Sequence, residues 1–280
     1  MATPPWKVEE LRTRIGIPAI DESDARKIVN TASDIIYSDQ GRAQQVMQTR
    51  QFRQWIMSPG SAKLLIHGDF DDMANTSPFS VLAATVLQAF RTSPQIISMA
   101  FFCGQHLVKN EHYGGIAMIC SFIAQLLRQF PSHMIPAPRE ISINEIGTLD
   151  ISGLCDFFVY IIGQLPSNMT VFCIIDGIDL YEREEYIDDM GKVVLTFLDL
   201  VSHGKMANMK LLLLSPRPMR EVRQAFDDEP ETLLHMHQLP IMEDIIAPGR
   251  IHELTHPWTI AAHAINRKPA FDHEVEAQHQ

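Results

Sequence analysis

The sequence predicts an α/β fold, a five-stranded, mainly parallel sheet flanked by helices, with an N-terminal helical segment. Short runs of continuous apolar residues, such as Leu64-Leu65-Ile66 and Val171-Phe172-Cys173-Ile174-Ile175, have the length of strands buried on both faces. These runs alternate with longer stretches of helical periodicity, the pattern of successive β-α-β units. At 280 residues, 46% hydrophobic and 20% charged, the chain is long enough to bury one large core.

Residues 1–60 read as the helical segment. Asp21-Glu22-Ser23-Asp24 puts negative charge where a helix begins, and Ile28, Ala32, Ile35 and Ile36 follow at helical spacing. A second helix is expected over 44–57, packing through Val46, Phe52, Trp55 and Ile56 and stopped by Pro59-Gly60. Residues 61–240 form the α/β domain. Its strands are expected near 63–68, 96–103, 170–176, 209–215 and 232–239. Helices are expected over 78–91, 116–130 and 154–165, through Val193, Val194, Phe197 and Leu198, and over 219–226. Residues 131–150 read as an irregular connection, and 241–280 as a tail, partly helical or disordered.

A formal net charge of −11 opposes a nucleic-acid partner, because phosphate contacts need clustered Lys and Arg. Cys103, Cys120, Cys155 and Cys173 form no CxxC pair and sit in apolar stretches, so they read as buried free thiols in a reducing compartment. The N-terminus shows no basic region followed by an apolar run, and no apolar stretch reaches the ~20 residues of a membrane span. The expectation is a cytoplasmic protein with no membrane partner.

With all strands parallel, their carboxyl ends share one rim, where open α/β sheets place ligand sites. Those ends read Gly68-Asp69, Cys103-Gly104-Gln105-His106, Asp176-Gly177-Ile178-Asp179 and Ser215-Pro216-Arg217. An apolar strand closing on Asp176 puts a carboxylate where it can hold Mg²⁺-bound water. The segment Val171 through Asp179 resembles the Walker B strand of NACHT-type STAND ATPases, which often read Asp-Gly-x-Asp-Glu there. Phe101-Phe102-Cys103-Gly104 at the end of the second strand and the apolar helix after it are also similar to that family. Ser215-Pro216-Arg217-Pro218 stands where its fourth strand ends in a Ser-Arg-Pro-like sensor segment. The likeness covers about residues 50–240 and is closest to the fungal members. It implies a P-loop-NTPase-like, ASCE-type sheet ordered fifth, first, fourth, third, second, with ATP or ADP and Mg²⁺ as the ligands of an intact site.

A P-loop reads G-x-x-x-x-G-K-[ST], with glycines for a nest of backbone N–H groups, Lys for the phosphates and a hydroxyl for Mg²⁺. Counted from Gly68, Met73 stands for the second glycine, Ala74 for the lysine and Asn75 for the hydroxyl residue. Asp69, Asp71 and Asp72 add negative charge. Like charges ~4 Å apart repel by roughly 4 kcal/mol at an effective dielectric of about 20. Thr76 and Ser77 offer hydroxyls only if the loop is longer, and Leu180 stands where the family places its catalytic Glu. What remains is a degenerate nucleotide site of Gly68, Asp69, Asn75, Thr76, Ser77, Asp176, Asp179, Ser215 and Arg217. Asp176 is its Mg²⁺ residue, Lys109 and His106 are further cations near the rim, and no residue is catalytic.

One rival motif stands near the C-terminus. His252-Glu253-Leu254-Thr255-His256 matches H-E-x-x-H, in which His252 and His256 would bind Zn²⁺. Pro257 opposes the helix this chemistry requires, and with 12 histidines in the chain the motif is weak evidence alone. His235 and His237 alternate in an expected strand and read as a structural pair. The leading reading is a scaffold or interaction module that binds other proteins, with self-association open and no cofactor expected. The alternative is a nucleotide-binding ATPase or switch with a rebuilt phosphate loop. A zinc hydrolase ranks third.

Overall fold

The computed structural model describes residues 4–35, 37–70, 75–107, 111–139, 141–203 and 207–239. One sheet contains β1 (Ala62–His67), β2 (Ile96–Phe102), β3 (Thr170–Asp176), β4 (Asn208–Ser215) and β5 (Leu233–His235). The spatial order is β5-β1-β4-β3-β2, as the resemblance implies, and every neighbouring pair is parallel. The chain therefore has a P-loop-NTPase-like α/β fold.

Two helical layers cover the sheet. The period-2 alternation of a strand sorts its side chains between them. Ile97, Met99 and Phe101 of β2 face the layer of α6 (Gly114–Arg128), α7 (Ile151–Ile162) and α8 (Ile187–His203). Ile96, Ala100 and Phe102 face the layer of α3 (Tyr37–Val46), α4 (Arg50–Met57) and α5 (Pro78–Phe90). Caps set several helix starts. Thr49 Oγ1 accepts from the Phe52 N–H at 3.2 Å and begins α4, so the single helix expected over 44–57 is two. Asp150 accepts from the Gly153 N–H at 2.8 Å and begins α7.

The N-terminal segment holds more order than its sequence announced. Trp6–Lys7 pairs antiparallel with Met134–Ile135, inside the stretch read as irregular. Helices α1 (Val8–Ile15) and α2 (Ile20–Thr31) follow. The helix α2 straddles the β2 edge of the sheet, with Ile20 in one layer and Ala25 and Ile28 in the other. Its Asp21, 1% exposed, accepts from Arg91 at the end of α5 and from Arg128 of α6, the latter at 2.6 Å.

Two other expectations differ in detail. The helix placed over 219–226 is a 3₁₀ turn, Val222–Phe226. The Glu182 carboxylate holds the loop before it by accepting from the N–H groups of Arg220 and Val222 at 2.8 and 2.9 Å. The last strand closes at His235 and turns into Met236–Gln238. All four cysteines are free, with Cys120 half-buried and the others buried. Lys210, in the sheet interior at 1% exposure, donates from Nζ to the Ser58 carbonyl at 2.6 Å. That carbonyl closes the end of α4, where a cation is favoured, although burial pushes the ammonium pKa down to about 7. Among the described residues no helix is long and apolar enough to cross a membrane.

Candidate functional site

The carboxyl rim is built around the end of β3. Asp176 closes that strand at 3% exposure. Gly177 then takes the left-handed conformation (φ 71°), which a glycine adopts without strain. The 3₁₀ turn Ile178–Tyr181 that follows brings Asp179 back beside Asp176. Asp176 Oδ2 accepts from Ser80 Oγ at 2.6 Å, while its buried Oδ1 has no partner among the described residues. Burial pushes the Asp176 carboxyl up to about 7 against the opposing Ser80 hydrogen bond, and Asp179 adds to the rise. Burial also raises the Asp179 pKa, opposed by Arg217, whose Nε donates to Asp179 Oδ2 at 3.0 Å.

The facing wall is the first turn of α5. Ser77 and Ser80 form a reciprocal capping box: the Ser80 N–H donates to Ser77 Oγ at 3.2 Å and the Ser77 N–H to Ser80 Oγ at 3.0 Å. Pro78 takes the first helical position. Asn75, Ser77 and Ser80 thus line, with Asp176, Asp179 and Leu180, a small cleft open to solvent, to which Gly104 and Pro216 also contribute. Arg217 borders it; among the described residues, no lysine does.

Two glycines are fixed by close approach. A Cβ on Gly68 would lie 2.5 Å from the Pro216 carbonyl oxygen and 3.0 Å from the Phe79 ring. One on Gly104 would lie 2.1 Å from the Asn75 carbonyl oxygen. That same carbonyl accepts from Gln105 Nε2 at 3.0 Å, and Gln105 Nε2 also donates to Thr76 Oγ1 at 3.1 Å. The loop before α5 is therefore seated on the turn that follows β2.

Asp176, Asp179, Arg217, Asn75 and Ser77 come together at the cleft. Gly68 and Ser215 lie behind it: the Gly68 N–H donates to the Ser215 carbonyl at 2.7 Å, and Ser215 Oγ donates to the Arg217 carbonyl. Asp69 instead pairs with Arg42 of α3 at 2.6 Å, so its charge is already balanced. His106 is drawn off to α2, with Nε2 2.6 Å from Asp24 Oδ2 and its ring stacked on Phe101. His235 packs its ring 5.3 Å from His67 and from His237. Among the described residues no group of three or more His, Cys, Asp or Glu is placed to hold a metal ion. Asp71, Asp72, Met73, Ala74, Lys109, His252 and His256 lie outside the described residues.

Sequence reasoning missed Ser80. Counting eight positions from Gly68 puts the hydroxyl residue at Asn75, yet the hydroxyl that reaches Asp176 comes from the residue two after Pro78. The available signal was Ser77-Pro78-Phe79-Ser80, a helix-start pattern that fixes where α5 begins. Just before Ser80, where a P-loop carries its lysine, stands Phe79, fully buried with its ring packed edge-on against Phe70 at 5.1 Å.

No curated protein matches the chain. The family model for the nephrocystin 3 N-terminal region matches residues 41–216. That span, well over half of the chain, runs from α3 to the turn after β4 and includes every cleft residue but Arg217, so the chain belongs to the nephrocystin 3 N-terminal family.

Proposed function

We propose that this chain is a non-catalytic, NACHT/STAND-like domain, akin to the fungal members of that superfamily. In this reading its phosphate site has become a structural junction, and it serves as a cytoplasmic scaffold or interaction module for other proteins. The working unit is residues 61–240, with the helical segment 1–60 docked upon it. The observation that carries the reading is Phe79. A phosphate loop needs a cation immediately before its hydroxyl residue, and here that place holds a buried ring in contact range of Phe70. The hydroxyl itself is turned onto Asp176.

The two halves of the cleft fit a magnesium nucleotide unequally. The Oδ1 atoms of Asp176 and Asp179, without a partner among the described residues, have the chemistry of hard-cation ligands. The phosphate half does not fit, because Arg217 is engaged by Asp179 and the lysine position is apolar. The nucleotide-switch alternative rests on those two oxygens and on Arg217, which could turn outward.

Calorimetric and thermal-shift titration with Mg-ATP and Mg-ADP tests the choice. A ligand at one-tenth of its Kd adds only about 0.06 kcal/mol, so the expected result at millimolar nucleotide is no heat and no rise in Tm. Saturable binding abolished by Asp176→Ala would establish the switch. A repair locates the phosphate register. Pro78→Gly with Phe79→Lys should create measurable Mg-ATP binding if Ser80 marks the end of the loop. Met73→Gly with Ala74→Lys should do so if the ungapped count is correct.

A further inference from the structure

The outer edge of β2 is the least ordinary feature of the sheet outside the cleft. An edge strand presents unpaired N–H and C=O groups to which another strand can add. The sequence of β2, Ile96-Ile97-Ser98-Met99-Ala100-Phe101-Phe102, is uncharged, free of Gly and Pro, and entirely buried. Segments of this composition pair readily with copies of themselves.

Two side chains of α6 occupy that edge. Gln125 Oε1 accepts from the Ala100 N–H at 3.0 Å, and its Nε2 donates to the Ala100 carbonyl at 2.8 Å. Gln129 repeats the arrangement one step along: Oε1 accepts from the Ser98 N–H at 3.0 Å and Nε2 donates to the Ser98 carbonyl at 3.1 Å. Each primary amide thus makes both hydrogen bonds that a residue of an added strand would make. The spacing is what permits it, since residues four apart on a helix share a face and residues two apart on a strand share an edge. Gln125 is itself 0% exposed and further held by the Ser121 hydroxyl at 3.0 Å. Over the same edge lies α2, fixed by Asp21 to Arg91 and Arg128.

We propose that Gln125 and Gln129 act as a surrogate strand that seals β2 against pairing with the β2 of a second copy of this chain. The second copy is the fitting occupant because two identical edges can meet about a two-fold axis, each supplying the same residues, and β2 carries no charge that would repel its own copy. The helix α2 is the outer cover of the same seal.

The test is light-scattering mass on the full chain against Gln125→Leu with Gln129→Leu, in protein checked for native far-UV circular dichroism. The expected result is a mass that doubles as concentration rises in the variant. Ser98→Pro added to that variant should restore the wild-type mass, because the lost N–H lies on the outer edge and not on the β3 side. Should the double variant fail to fold, Gln129→Leu alone leaves the buried Gln125 in place and should show the same association at higher concentration. A folded variant that keeps the wild-type mass at every concentration would overturn the proposal. So would association that persists with Ser98→Pro, since it would run through another surface.

Discussion

Ser80 Oγ and Asp176 Oδ2 lie 2.6 Å apart, joining the first turn of α5 to the end of the third strand inside the core. The hydroxyl is the side-chain partner of a carboxyl whose other oxygen is buried with no partner among the described residues. Ser80→Ala would leave both oxygens without a side-chain donor. Losing one partner of a buried hydrogen bond costs about 1–3 kcal/mol, so urea denaturation should show a loss of that size. Ser80→Thr, which keeps the hydroxyl, should recover most of it. Unchanged stability in Ser80→Ala would remove this bond from the account of the site.

Asp176 also sets a pH dependence. Its pKa rises from 3.8 to about 7 on folding. A raised pKa contributes stability that is fully present below the unfolded value and is lost as pH rises through the folded one. Between about pH 4 and pH 7 the protein should therefore lose stability relative to Asp176→Asn, whose amide carries no charge. The Tm difference between the two should widen in favour of the variant from pH 4 to pH 8 and then level off. A constant difference would mean that Asp176 ionises freely in the fold.

Lys210 works in the opposite sense. Its pKa falls from 10.5 to about 7, so the cost of burying the charged ammonium is full below about pH 7 and disappears above pH 10.5. Lys210→Met should raise Tm at pH 6 and give no gain at about pH 11, where the loss of the bond to the Ser58 carbonyl is all that remains. Equal effects at both pH values would show that the ammonium is well solvated.

The sheet was legible in the sequence because parallel strands buried on both faces are written as continuous apolar runs, and Val171 through Asp176 is as plain as such a run can be. Loop length was not. Gly68 reads as the start of a phosphate nest, but its approach to the Pro216 carbonyl is a contact between segments 148 residues apart that no local pattern records. Ser80 was overlooked for the same reason: a motif counts positions, while the hydrogen bond to Asp176 depends on where α5 begins. The glutamines on α6 look like ordinary helix residues until β2 lies beside them. The split between α3 and α4 was within reach, since Thr49 is a good cap, but the apolar spacing on both sides of it reads as one helix.

Gly104 offers a test of the loop seat. A methyl group there would sit 2.1 Å from the Asn75 carbonyl oxygen, a backbone atom with little freedom to withdraw. Gly104→Ala should destabilise by about 1–3 kcal/mol, the usual range for overpacking, and should raise amide hydrogen exchange over residues 75–77. Gly60→Ala, where an added Cβ meets nothing within 4 Å, is the control and should be close to neutral. Equal effects at the two glycines would dismiss the close approach.

The ion pairs of α2 have a consequence for the order of assembly. Asp21 precedes Arg91 by 70 residues and Arg128 by 107. Synthesis proceeds at ~5–20 residues per second, so Asp21 waits roughly 5–20 s for Arg128 to be made. Until α5 and β2 are made, the α2 helix is a short amphipathic segment with nothing to dock on, and such helices are marginal in water. The segment made first is therefore among the last to be fixed. For the last part of that wait, after Phe102 completes β2 and before Gln125 and Arg128 are made, the growing chain carries β2 without its amide partners and with its cover not yet pinned.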